Sequence, residues 1–217
     1  MKRKLSNKIF LLAAIVLLFG ALQSCGGNAG LVKIEYSDGY FIDKKNGIKY
    51  QNAHVAYEPV SVGEEYAAYG NIILHKLPGS DPLQWMTEQY DGIGSVFYSE
   101  DVTLPPIEDF DAVKVHVCVS NIQTIGIAAI DDGEIISQMI SLLGSGEQRE
   151  AGPARESFYL KFASDTYPFL YYNLMYVKAE NGGNFLYDRG TKRCVEIGSL
   201  IDKYLPDGIA EDAFLSE

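Results

Sequence analysis

The chain has 217 residues, of which 29 are acidic and 18 are basic, so its net charge is −11. Phosphate binding needs a basic face, so this balance argues against nucleic acid as a partner and against polybasic attachment to anionic lipid. The length is enough for one ample core or two small lobes.

The chain begins with a basic segment followed by an apolar run. Residues 1–8 contain four basic side chains and no acid, and residues 9–22 carry no charge. As a helix at about 1.5 Å per residue the run is roughly 21 Å long, shorter than a ~30 Å hydrocarbon core. This arrangement is typical of a secretory signal and predicts export. Removal of residues 1–24 would change the net charge from −11 to −15.

The residues that end this run, Leu22-Gln23-Ser24-Cys25, resemble the lipobox of bacterial lipoprotein precursors. The resemblance covers only the first 25 residues and implies cleavage between Ser24 and Cys25. It also implies a diacylglyceryl thioether on Cys25, which would hold the protein on a bacterial membrane, facing outside the cytoplasm; two acyl chains suffice for stable attachment. Residues 25–30 then form a flexible tether. An ordinary signal with a chance cysteine and an uncleaved anchor are the alternatives.

From residue 31 the sequence reads first as short strands joined by turns. Asn46-Gly47 suits a tight hairpin, and Pro59 confines its own strand to a sheet edge or a strand end. The predicted strands are 31–36, 40–43, 48–51, 53–60 and 71–77.

A short helix is then predicted over 81–90. Asp81 suits the N-cap and Pro82 the first helical position. Apolar residues recur there at helical spacing, namely Leu83, Met86 and Tyr90. A strand over 94–99 follows.

Pro105-Pro106 is the best internal boundary and divides the body, residues 31–206, into candidate sublobes 31–104 and 107–206. Beyond it, residues 112–120 alternate as a strand should, and 124–130 is the expected hairpin partner. Asp131 or Asp132 caps a second predicted helix, 133–143, with an apolar stripe. A polar loop over 144–156 follows.

The last third is rich in aromatic residues, which we interpret as core. It contains four predicted strands and, after Ser199, a third short helix over 200–205. Residues 207–217 are predicted to be a flexible tail. The whole pattern favours an α+β fold, mainly antiparallel sheet with about three short helices.

Beyond Cys25 the sequence has two more cysteines, Cys118 and Cys194. Disulfides persist outside the cytoplasm, and a bridge between these two would close a loop of about 75 residues. The alternative is that each is a small buried thiol. The two interpretations are almost balanced, with a lean toward unpaired thiols.

His116 and Cys118 are the only local candidates for a catalytic pair. They lie two residues apart on a predicted strand and therefore share a face, but side chains so spaced project in parallel, about 7 Å apart. The sequence has three histidines but contains neither an HExxH nor a CxxC motif, and no nucleotide-binding fingerprint occurs. The sequence therefore predicts no metal site and no cofactor.

These observations favour a non-enzymatic binding or accessory protein on the bacterial membrane surface. Its partner would be an envelope protein, a peptide or a glycan. One alternative is a cell-envelope hydrolase whose site gathers dispersed residues. Another is an inhibitor or immunity-type module that presents a sheet face to one protein.

Overall fold

The computed structural model describes residues 30–90, 93–119 and 125–205. The lipobox, Cys25 and the predicted tail lie outside these residues. The regular elements, in chain order, are β1 (Val32–Lys33), β2 (Glu35–Ser37), β3 (Tyr40–Asp43), β4 (Ile48–Asn52), β5 (Tyr57–Pro59), β6 (Glu65–Tyr69), β7 (Ile72–Lys76), β8 (Trp85–Tyr90), β9 (Ile93–Ser99), β10 (Ala112–Cys118), β11 (Gly126–Ile130), α1 (Gly133–Ser145), β12 (Ala154–Ser164), β13 (Leu170–Ala179), β14 (Asn184–Asp188) and β15 (Arg193–Glu196). Two single 3-10 turns, Ile107–Asp109 and Asp202–Tyr204, complete them.

The strands form two sheets. The first, sheet A, has eight strands in the order β1-β6-β7-β8-β9-β4-β3-β2. Its end strands β1 and β2 are consecutive in the chain and only Ile34 separates them. β1 pairs with β6 in parallel, and the remaining pairs are antiparallel. The sheet therefore curls into a nearly closed barrel. Its interior is filled by Ile34, Phe41, Tyr50, Ala67, Leu74, Met86 and Phe97.

The second sheet, sheet B, has the order β11-β10-β12-β13-β14-β15, and β5 joins it by pairing with β13. α1 covers one face and buries Ile136, Met139 and Leu143 there. The Asp132 side chain accepts hydrogen bonds from the backbone N–H groups of Glu134 and Ile135, which confirms the predicted N-cap and helix.

The two sheets share a core. Trp85 on the outer face of sheet A belongs to the same buried cluster as the inner face of sheet B, and its ring lies 5.4 Å from that of Phe169. Pro105-Pro106 lies between the last strand of sheet A and β10. β5 is an exception to this division, because it precedes the prolines in the chain but belongs to sheet B.

The expected α+β class with three helices is wrong, because the described residues are mostly β and contain a single α-helix. The segment predicted as a helix over 81–90 forms one turn, in which the Asp81 carbonyl accepts from the N–H groups of Gln84 and Trp85, and then becomes β8. β8 pairs with β7 on one side and with β9 on the other. Those backbone pairings override the local helical spacing.

The third predicted helix, 200–205, is also wrong. It is reduced to the 3-10 turn Asp202–Tyr204, as expected for six residues that cannot recover the cost of helix nucleation. The β10–β11 hairpin and the aromatic core are confirmed: β10 pairs with β11, and Tyr172 and Tyr176 are buried. None of the helices in the described part of the chain has the length and apolar character needed to cross a bilayer.

Candidate functional site

His116 and Cys118 do share one face of β10, but they do not form a nucleophile–base pair. The Cys118 thiol lies 3.8 Å from the backbone carbonyl of His116 and is fully buried. The His116 ring instead packs edge-on against Tyr171, with the ring centroids 5.7 Å apart. Burial raises the pKa of the Cys118 thiol and lowers that of His116. A nucleophilic cysteine needs the opposite shift of its thiol, so this geometry does not favour a thiolate.

A buried ion pair lies beside them on the outer face of sheet B. Lys161 on β12 has a side chain only 3% exposed, and its Nζ lies 2.5 Å from Oε2 of Glu58 on β5. Asn173 on β13 lies directly opposite Lys161 and is also buried. Neither polar atom of its side-chain amide has a hydrogen-bond partner in the described part of the chain. The pair ties β5 to the centre of sheet B, which is a structural role.

Cys118 and Cys194 are free, buried thiols, so the disulfide left open by the sequence is not formed. They lie on β10 and β15, four steps apart in the order of sheet B. At about 4.8 Å per step the separation is roughly 19 Å, whereas a disulfide needs Cα atoms within about 7 Å. No group of three or more metal-ligating side chains among the described residues could hold a metal ion.

One pocket, of about 360 Å³, opens beside the end of β14. Its central carboxylate, Asp188, is buried and already saturated: it accepts from the Tyr172 hydroxyl at 2.8 Å, the Thr191 hydroxyl at 2.9 Å and the Gly190 N–H at 2.7 Å. Arg193 in the same pocket donates to the carbonyls of Gly144 and Gly146 at the C-terminal end of α1. These polar groups hold the fold together.

A second pocket, of about 320 Å³, lies at one end of the curled sheet A, and we call it the mouth pocket. It combines residues of seven strands and one turn of sheet A. Its lining residues are Tyr36, Gly39, Phe41, Asn52, Tyr69, Ile72, Glu88 and Phe97.

In the described part of the chain, two hairpin tips lie at the rim of the mouth pocket. Asp38 and Gly39 both have positive φ, as a tight two-residue hairpin turn requires, and this turn sets Tyr36 opposite Phe41. The β6–β7 turn sets Tyr69 opposite Ile72. The two rim tyrosines remain open to solvent: Tyr36 is 51% exposed and Tyr69 is 38% exposed.

The aromatic rings of the pocket form a continuous cluster. The centroid of Phe41 lies 5.2 Å from that of Tyr36, 5.9 Å from that of Tyr69 and 5.0 Å from that of Phe97, and all three pairs meet edge to face. Tyr36 on β2, at one end of the sheet, and Tyr69 on β6, next to the other end, have ring centroids 6.0 Å apart. Such edge-to-face packing holds rings in fixed orientations.

Glu88 supplies the one charged side chain that the described residues contribute to the pocket lining. It lies directly opposite Leu74 on β7 and two residues after Met86, so it shares the interior face of sheet A with these two core residues. Its Oε1 atom is buried and has no hydrogen-bond partner among the described residues. A buried carboxylate oxygen without a donor is unfavourable unless a ligand supplies one.

Sequence reasoning missed the mouth pocket entirely. It placed residues 81–90, which include Glu88, in a helix and gave no role to Glu88, Tyr36 or Tyr69. The available signal was that Tyr36 and Tyr69 each lie one or two residues before a tight turn, Asp38-Gly39 and Gly70-Asn71 respectively.

No protein-family model matches the chain, and no curated protein or solved structure shows significant similarity to it.

Proposed function

We propose that this chain is a binding or accessory protein that is lipid-anchored through Cys25 to the outer side of a bacterial membrane, and that the mouth pocket is its ligand site. The observation that carries the proposal is the pocket itself, whose lining combines four aromatic rings with Glu88, a residue whose Oε1 has no hydrogen-bond partner among the described residues. Small-ligand sites are typically apolar concavities with a few well-placed polar groups, and barrel mouths are common places for them.

The direction of β1 supports this arrangement. β1 runs parallel to β6, with Val32 opposite Ala67, so Gly30 lies at the end of sheet A away from Tyr69. Measured along the strand direction, Gly30 and Tyr69 are four residues apart, or about 13 Å. A tether from Cys25 would therefore enter at the far end, and the mouth pocket would face away from the bilayer.

The anchor and the pocket are tested separately. Cys25→Ser should abolish labelling by radioactive palmitate and release the protein from the membrane fraction, whereas Cys118→Ser, a buried thiol outside the lipobox, should leave both unchanged. Equal labelling of Cys25→Ser and the wild type would refute the anchor.

For the pocket, a photo-reactive benzoyl-phenylalanine replaces Tyr36 at the rim, and in a matched protein it replaces Val113, which is 45% exposed on sheet B. Irradiation of living cells followed by intact-mass measurement should give a discrete adduct at position 36 but not at 113. No adduct at 36, or the same adducts at both positions, would contradict the mouth pocket as the ligand site.

A further inference from the structure

We infer that the mouth pocket binds a protonated primary amine, an R–NH₃⁺ group carried on a short alkyl chain. This inference rests on the proposed function, because it names the ligand chemistry of the same pocket. It follows from the charge of the pocket, from its aromatic faces and from the one atom in it that needs a donor.

The charge in the pocket favours a cation. Among the described residues, the lining contains the carboxylate of Glu88 and neither lysine nor arginine. The chain as a whole is also acidic, at −11. An anionic ligand would meet like charge at the pocket floor, whereas a cation supplies the opposite charge that a partly buried carboxylate needs.

The aromatic rings favour a cation as well. The faces of Tyr36, Phe41, Tyr69 and Phe97 carry negative electrostatic potential, and an ammonium within about 6 Å of a ring centroid is attracted to it. Because Phe41 meets three other rings edge to face, the cluster presents differently oriented faces around one space. Such a cluster with one carboxylate suits recognition of an alkylammonium.

Glu88 distinguishes a primary from a quaternary ammonium. A quaternary ammonium satisfies the rings, but it has no N–H and would leave Oε1 of Glu88 without a donor. A primary ammonium has three N–H donors, so it can donate to the Glu88 carboxylate while its alkyl chain lies against the rings. The Asn52 Oδ1 already accepts from the His54 N–H at 2.7 Å, whereas Oε1 of Glu88 has no donor among the described residues.

The pocket volume limits the ligand to a small group. About 320 Å³ is near the lower end of small-ligand sites and accommodates an aminoalkyl chain of a few carbons. Because Tyr36 and Tyr69 are exposed at the rim, the group can belong to a free alkylamine or to a lysine side chain that enters from outside.

The test measures binding to the full-length protein in non-ionic detergent by calorimetry at constant ionic strength. The probe is n-butylammonium, with neutral n-butanol as its uncharged counterpart and tetramethylammonium as its quaternary counterpart. We expect n-butylammonium to bind at least about tenfold more tightly than either, since a charge-assisted hydrogen bond is worth roughly a factor of ten or more. Tetramethylammonium binding as tightly as n-butylammonium would overturn the inference.

Variants locate the binding in the pocket. Glu88→Gln should weaken n-butylammonium binding about tenfold or more. Glu65→Gln, which removes an exposed charge from β6 of the same sheet, should leave it within about twofold. Tyr69→Leu should weaken binding whereas Tyr69→Phe, which keeps the ring, should retain it. Equal loss in Glu88→Gln and Glu65→Gln would overturn the assigned contact, and circular dichroism checks that each variant is folded.

The source of the amine is read from a second probe, Nα-acetyl-lysine methylamide. Binding comparable to n-butylammonium supports a lysine side chain, and binding of n-butylammonium alone supports a free alkylamine. The ligand chemistry and the location of the ligand site can be refuted separately. If n-butylammonium does not bind but the adduct at position 36 persists, the assignment of an amine ligand is wrong and the ligand site stands. If both are absent, both are wrong.

Discussion

Glu88→Leu should make the protein more stable while it removes amine binding. In the wild type, Oε1 of Glu88 is buried without a donor, on the interior face of sheet A and directly opposite the fully buried Leu74. Leucine at position 88 has nearly the same size, needs no hydrogen bond and can contact Leu74. The substitution thus removes a penalty and adds an apolar contact.

The magnitude follows from the burial of this side chain. An unmade hydrogen bond at a buried polar group costs about 1–3 kcal/mol. Glu88 is only partly buried, so the lower end applies and we expect a gain of about 1 kcal/mol in the free energy of unfolding. For a chain of this size that gain corresponds to a rise in Tm of about 2–4 °C.

Urea unfolding followed by circular dichroism, without amine present, measures this change. Glu65→Leu on the exposed face of β6 is the matched control and should stay within about 0.5 kcal/mol of the wild type. A loss of 1 kcal/mol or more in Glu88→Leu, with Glu65→Leu unchanged, would mean that the Glu88 carboxylate is well satisfied in the free protein. That result would remove the reason for expecting a donor from the ligand.

Three further predictions concern the rest of the fold. In urea titrations, Lys161→Met should lower the free energy of unfolding by about 3 kcal/mol, because Glu58, only 15% exposed, loses its cationic partner. Adding Glu58→Met to this variant should recover most of the loss. Arg193→Met should destabilise the protein by about 2 kcal/mol in the same assay, because carbonyls at the end of α1 lose their donor, whereas Arg193→Lys should lose less. Burial raises the pKa of both the Cys118 and the Cys194 thiols, so a thiol reagent at pH 8 should leave both unmodified in the native protein and label both in urea; fast native labelling would show that they are not buried as described.

Local signals predicted some elements well because those signals act within the element. In α1, the Asp132 cap and the apolar stripe specify a helix without reference to the rest of the chain. In β10, the alternation of valines predicts a strand with one apolar face, and Val115 and Val117 on that face are fully buried, whereas Val113 near the start of the strand is 45% exposed. These elements match the prediction because their local preference and their tertiary surroundings agree.

The segment 81–90 shows where such reasoning fails. Asp81, Pro82 and the spacing of Leu83 and Met86 all favour a helix, yet Leu83 is exposed and Met86 is buried inside sheet A. Met86 and Glu88 face one side of β8 while Trp85 faces the other. This two-residue repeat is typical of a strand, although the same segment also fits a helical repeat. Pairing with β7 and β9 decides between the two, and those strands are specified elsewhere in the sequence.

The mouth pocket is beyond local prediction for the same physical reason. Its residues lie between positions 36 and 97 and meet only because the sheet curls until β1 pairs in parallel with β6. That pairing brings Tyr36 next to Tyr69, although 33 positions separate them in the sequence. No periodicity within one strand contains this information.

The two pockets differ in what a ligand would have to replace. In the pocket of Asp188, a ligand must displace hydrogen bonds from Tyr172, Thr191 and Gly190, each already well formed, and would gain little in exchange. In the mouth pocket, a donor to Glu88 displaces no protein partner among the described residues. Binding there converts an unfavourable carboxylate into a paired one, so even a small amine can have measurable affinity. If the proposed site is correct, the same residue lowers the stability of the free protein and contributes most to recognition of the ligand.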